Sequence, residues 1–150
     1  MFPRPLENFA RNATFLLLVP LAIAGCGRYK RTKQCRALIA QVNPTLDDIS
    51  LLTRSSEAGV GGSGSYVAAA GRYERLAKQL GPMEFASEDM AKLVAEYAGL
   101  LNNAAENLRT LATALDANDA PAADRAGREL ERIGPHERSV ISRMETWCSQ

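Results

Sequence analysis

Three thiols and one imidazole are the groups in this 150-residue chain with chemistry beyond charge and packing: Cys26, Cys35, Cys148 and His136. A cysteine can attack a substrate, bind a metal, carry a covalent group or pair with a second cysteine. The cysteines here stand nine and then more than a hundred residues apart, so no C-x-x-C redox pair exists. A single histidine rules out H-E-x-x-H and the His-rich zinc sites. It lies in Gly134-Pro135-His136-Glu137 with no nucleophile motif beside it, which reads as a histidine at a helix break, not a triad member. Haem fares no better. On one helix, His136 and Met144 would be separated by roughly 12 Å along the axis, too far to hold opposite sides of one iron. The side-chain inventory therefore predicts no metal site, no cofactor and no enzymatic activity.

What the cysteines do depends on the compartment, and residues 1–25 bear on that. Arg4 and Arg11 give a weakly basic start, followed by the apolar run Phe15-Leu16-Leu17-Leu18-Val19-Pro20-Leu21-Ala22-Ile23. Nine helical residues rise about 14 Å, against a hydrocarbon core of roughly 30 Å, so a spanning helix is not expected. A basic start, a short apolar stretch and small residues make up an export signal. Ile23-Ala24-Gly25-Cys26 resembles the lipobox of bacterial lipoprotein precursors, with an aliphatic residue three before the cysteine and small residues between. The resemblance covers the first 26 residues. It implies that Ile23, Ala24 and Gly25 are read by the lipoprotein signal peptidase, that residues 1–25 are removed, and that Cys26 carries lipid. Two or three acyl chains hold a domain at a bilayer where one would hold it only marginally. Gly27 stands where an Asp would favour inner-membrane retention, so the resemblance leans toward the outer membrane within the cell envelope.

If Cys26 is lipidated, Cys35 and Cys148 remain, and in an oxidising compartment a leftover pair is expected to bond. The loop closed would exceed a hundred residues, for which chain entropy gives about 4–5 kcal/mol as an upper-end figure.

Charge is segregated. Arg28, Lys30, Arg31, Lys33 and Arg36 crowd residues 28–36 without an acid, whereas residues 37–150 hold eleven basic against sixteen acidic side chains. Beside a lipid anchor such a strip can contact anionic headgroups; equally, it can be a solvated tether and first helical turn. A formal net charge of +1 excludes the global field that attracts nucleic acid.

The elements that position these groups are helical. Cys35, Leu38, Val42, Ile49 and Leu52 share a face of a first helix running to about Arg54, with Asn43-Pro44 expected to kink it. Residues 58–65 carry four glycines and read as a flexible connector; no P-loop pattern is present. A second helix, from about Tyr66 to Leu80, directs Tyr66, Ala70, Tyr73, Leu76 and Leu80 inward and stops at Gly81-Pro82. Ser87 caps a third, whose seam of Met90, Val94, Tyr97, Leu101, Ala104, Leu108, Leu111 and Leu115 has period 3.5. After a turn at residues 116–119, a fourth helix carries Ala123, Ala126, Leu130, Ile133, Val140, Met144 and Trp147, with Glu137 breaking the phase and Gly134-Pro135 expected to bend or split it. The fold class is all-α: an antiparallel up-down-up-down four-helix bundle over residues 35–150, after a signal peptide and a lipid anchor with basic tether at residues 26–34. That topology would bring Cys35 beside Cys148.

A strong anchor on a bundle without catalytic groups points to a non-enzymatic lipoprotein that contacts a protein partner or organises the envelope. A ligand-binding or sensory bundle, with a small pocket between helices lined by the tyrosines and Trp147, is the other class of function the pattern allows.

Overall fold

The computed structural model describes residues 25–57 and 62–150. Among these the chain forms four helices and no strand: α1 (Gly25–Glu57), α2 (Gly62–Leu80), α3 (Glu88–Asp116) and α4 (Ala120–Ser149). Their ends follow local chemistry. Gly81 and Met83 hydrogen-bond back to Ala77 and Leu80, closing α2 in a turn. Ser87 Oγ accepts from the Met90 N–H, and Glu88 and Asp89 suit the positive end of the α3 dipole. At the far end of α3, Asn118 adopts φ 54°. Its N–H bonds the Leu115 carbonyl and the Asp119 N–H bonds the Ala114 carbonyl, a complete Schellman motif. Asp119 then caps α4 by accepting from Ala122, with Pro121 in the first turn, where a missing N–H costs nothing.

The result is an all-α four-helix bundle in which α1 packs on α2, α2 on α3 and α3 on α4, while α1 and α4 meet only sparsely. One cluster joins Leu38 and Val42 of α1, Leu76 and Leu80 of α2, Met90, Val94, Tyr97 and Leu101 of α3, and Val140 and Met144 of α4. A second joins Ile49, Ala69, Ala70, Ala105 and Leu108. Leu46 and Tyr73 border both.

Several boundaries differ from the sequence expectation. The basic stretch at residues 26–34 is itself helical: α1 begins at Gly25 and is continuous through it. Once a helix is nucleated, adding good helix formers such as Arg, Lys and Gln is cheap. Of the Gly-rich connector, residues 62–65 are the first turn of α2, with Gly62 at φ 54°; residues 58–61 lie outside the described residues. Glycine costs about 1 kcal/mol relative to Ala in a helix interior and less at an end, and the buried Ala69 and Ala70 follow this first turn. The prolines, in contrast, lie as the pattern allowed: Pro44 and Pro135 are inside α1 and α4, and neither ends its helix. The fully or nearly buried Val42, Ile49 and Val140 hold the chain on either side of the lost hydrogen bonds. The Asn43 Oδ1, beside Pro44, is buried without a hydrogen-bond partner among the described residues.

The α3 seam holds through Leu108 and then drifts. Leu111 is half-buried and Leu115 is 44% exposed, while Ala105, Ala112 and Ala114 turn inward. A straight helix slips about 20° per heptad against a 3.5 repeat. Over three heptads that slip moves the original stripe off the core.

Candidate functional site

The end of the bundle where α1 enters and α4 finishes concentrates the chemistry. Cys35 and Cys148 meet there as a disulfide pair with a Cα–Cα distance of 5.9 Å across a sequence separation of 113. Cys35 is buried and Cys148 packs against the larger core cluster. One residue earlier, Gln34 brackets the α2–α3 turn. Its Nε2 donates to the Glu84 carbonyl at 2.9 Å, and its Oε1 accepts from the Ala86 N–H at 3.4 Å. A turn earlier still, the Arg31 guanidinium lies over the Trp147 ring, 4.9 Å from its centroid. Three independent contacts thus tie the start of α1 to the end of α4 and to the α2–α3 turn.

Beyond these ties α1 projects past the body of the bundle. Gly27, Arg28, Tyr29 and Lys30 are all exposed. Four consecutive helical residues sample every side of a helix, so no side is covered. Tyr29 is 73% exposed. Lys33 and Arg36 are also exposed, and none of Arg28, Lys30, Lys33 or Arg36 has an acidic partner among the described residues. No acid stands in the first turn of α1 to balance the dipole. Of the five basic residues of the strip, Arg31 is turned inward to Trp147 while the other four face water. Cys26 sits in the first turn of α1, and Ile23 and Ala24 lie outside the described residues.

Elsewhere, polar side chains cross-link helices. His136 is exposed, and its Nε2 lies 2.8 Å from Glu96 Oε1, whose other oxygen accepts from Arg143 at 3.3 Å. The His136 hydrogen bond, helped by the Arg143 charge, holds the Glu96 carboxyl below its ordinary value. Glu137, which breaks the α4 pattern, reaches the interior. Tyr97 is fully buried and donates its hydroxyl to Glu137 Oε1 at 3.4 Å. Burial raises Glu137, and burial together with the Glu137 charge pushes Tyr73 up to about 12 and raises Tyr97 further. At the far end, Glu74 of α2 and Arg109 of α3 form a two-pronged ion pair. They line a surface groove of about 620 Å³ together with Glu106, Thr113 and Asp119. Among the described residues no group of three His, Cys, Asp or Glu could hold a metal ion, and no helix is long and apolar enough to cross a membrane.

Gln34 and the Arg31–Trp147 pair had no signal in the sequence pattern, and the Glu137–Tyr97 bond only a partial one. Each joins residues far apart in the chain, and only Glu137 betrays itself, as a charge at an apolar position. Compared with protein-family models, curated proteins and solved structures, the chain matches none.

Proposed function

We propose that this protein is a lipid-anchored bacterial lipoprotein of non-enzymatic type, whose bundle is displayed in the cell envelope to contact a protein partner. The observation that carries the reading is the division of labour among the three cysteines. Cys35 and Cys148 pair with each other across the bundle, which leaves Cys26, the cysteine of the lipobox-like Ile23-Ala24-Gly25-Cys26, as the odd thiol. A one-domain protein stapled in this way belongs in an oxidising compartment, and export by a lipoprotein signal supplies one. The polar clusters are used to tie helices, Glu96 to His136 and Arg143 and Glu74 to Arg109, which fits a display scaffold better than a reaction centre.

Metabolic labelling with a fatty acid tests the anchor. The wild-type chain is expected to incorporate label and to begin at Cys26, and Cys26→Ala is expected to abolish both. Labelling that survives the substitution overturns the assignment. For the partner, affinity capture of the native protein from envelope extract is expected to return the same protein with and without cross-linker. The ligand-binding alternative has one observation in its favour, since the far-end groove falls in the roughly 300–1,000 Å³ range of small-molecule pockets. The groove is open to solvent and its one arginine is already paired with Glu74, so the partner reading is preferred. A small molecule co-purifying with the bundle, and lost on Arg109→Ala, would reverse that preference.

A further inference from the structure

We infer that the projecting first turns of α1 form a rigid docking surface for anionic phospholipid headgroups, with Arg28, Lys30 and Lys33 as its contacts. The inference rests on the anchor reading of Cys26 and goes further: it fixes how the bundle stands on the bilayer.

Two features separate this from a loose basic tail. The strip is helical and continuous with α1, and the disulfide, Gln34 and the Arg31–Trp147 contact brace it against the rest of the bundle. Its charge therefore approaches a surface in one orientation, with the α2–α3 turn and the end of α4 on the same side. It is also uncovered and unneutralised: the four water-facing basic residues have no acidic partner among the described residues. A partner of opposite charge is what such a surface fits. A membrane is favoured over an acidic protein because the strip starts two residues after the cysteine that carries the lipid.

Distance divides the strip. Arg28, Lys30 and Lys33 stand about 3, 6 and 10 Å along the axis from Cys26, and Arg36 about 15 Å. The Debye length at physiological salt is about 8 Å. The first three, with extended side chains, reach the headgroup layer; Arg36 falls outside it. Arg31 is occupied with Trp147. Exposed Tyr29 lies among the three contacts, at the depth where an amphipathic ring is stabilised.

Trp147 is the one tryptophan of the chain and sits at this end, so it reports the approach directly. Native protein extracted from membranes is reconstituted into phosphatidylcholine vesicles with and without phosphatidylglycerol, and energy transfer from Trp147 to a headgroup-labelled lipid is measured. Transfer is expected to be higher with phosphatidylglycerol and to fall to the phosphatidylcholine level in high salt. The triple variant R28Q/K30Q/K33Q is expected to remove the difference, and R36Q to retain it. All these positions are exposed, and an intact disulfide with unchanged helicity confirms folding. Equal transfer in the two vesicles, or a triple variant indistinguishable from wild type, overturns the inference. So does a triple variant that changes only capture of an acidic envelope protein. Failure to float with phosphatidylcholine vesicles at all is a separate result and counts against the lipid on Cys26.

Discussion

The two ends of the bundle are built on different plans. At the disulfide end the interior is made of large side chains, with Leu76, Leu80, Met90, Tyr97, Leu101 and Val140 essentially inaccessible. A covalent bond, a cation–π contact and a bidentate side-chain amide close it. Toward the far end the buried positions shrink to Ala69, Ala70, Ala105, Ala112, Ala114 and Ala126, with Ile49 and Leu108 the large exceptions. The closure there is an ion pair in water. Alanine lets helices approach closely but removes little apolar surface from solvent, at about 25 cal/mol per Å². Stability is thus concentrated at the end that carries the proposed anchor. The far end gains close backbone approach and leaves Leu51, Val67 and Leu115 partly in water.

The contrast is broken most forcefully by removing the cross-link. C35S/C148S frees a loop of 113 residues, for which chain entropy predicts a loss of about 5 kcal/mol as an upper-end figure. Urea unfolding of the double variant is the measurement. A loss below about 1 kcal/mol would show that side-chain packing alone holds this end. Single substitutions come next. Leu80→Ala should cost about 2–5 kcal/mol, as a buried large-to-small change in a rigid surround. At the far end the sensitivity runs the other way: Ala70→Leu should cost about 1–3 kcal/mol by overpacking. If Ala70→Leu stabilised instead, the far end would hold unfilled space and the contrast in packing would be one of looseness.

The sequence made the helices legible for a physical reason: each carries an apolar stripe of helical period and ends in residues that cap or break it. Ser87, Gly81-Pro82 and the turn at 116–119 lie where those signals put them. The pairing of Cys35 with Cys148 followed once topology put the ends of α1 and α4 together. The Gly-rich stretch is where local punctuation and the helix boundary part. Gly62 and Gly64 form the first turn of α2, ahead of buried Ala69 and Ala70, where a flexible connector was expected. Leu115 leaves the core because a straight helix cannot keep a 3.5 repeat on one face over its whole length. The contacts of Gln34 and Arg31 were invisible, since both are polar residues in a strip that reads as uniformly solvated.

Where the two plans meet, Glu137 offers a finer test. It lies beside Tyr97 and Tyr73, and Tyr73 touches both core clusters. Burial raises its carboxyl above the ordinary 4.5. An acid raised in the folded state binds more protons folded than unfolded. Its stabilising share is complete below the ordinary value and is lost as pH rises through the folded one. Glu137→Gln keeps an oxygen for the Tyr97 hydroxyl and removes the charge. The variant should melt higher than wild type at neutral pH, by a degree or a few, and the two should converge in acid. Wild type melting higher at neutral pH would mean that the ionised Glu137 stabilises the junction.

The smallest effect is expected at the far end and carries the opposite sign. The Arg109 hydrogen bond, aided by nearby positive charge, holds Glu74 below its ordinary 4.5, and the same pairing raises Arg109. A carboxyl lowered in the folded state contributes stability above the ordinary value and loses it as pH falls through the folded one. Both side chains face solvent, so salt screens the pair and its worth at neutral pH is slight. Glu74→Gln should leave the neutral melting temperature almost unchanged and flatten the decline in acid. Hydrogen exchange localises the effect: on acidification, amides of α2 and α3 near Glu74 and Arg109 should lose protection before those around Leu80 and Met90. Simultaneous loss at both sites would mean that the bundle opens as one cooperative unit, with the packing difference between its ends carrying no local difference in stability.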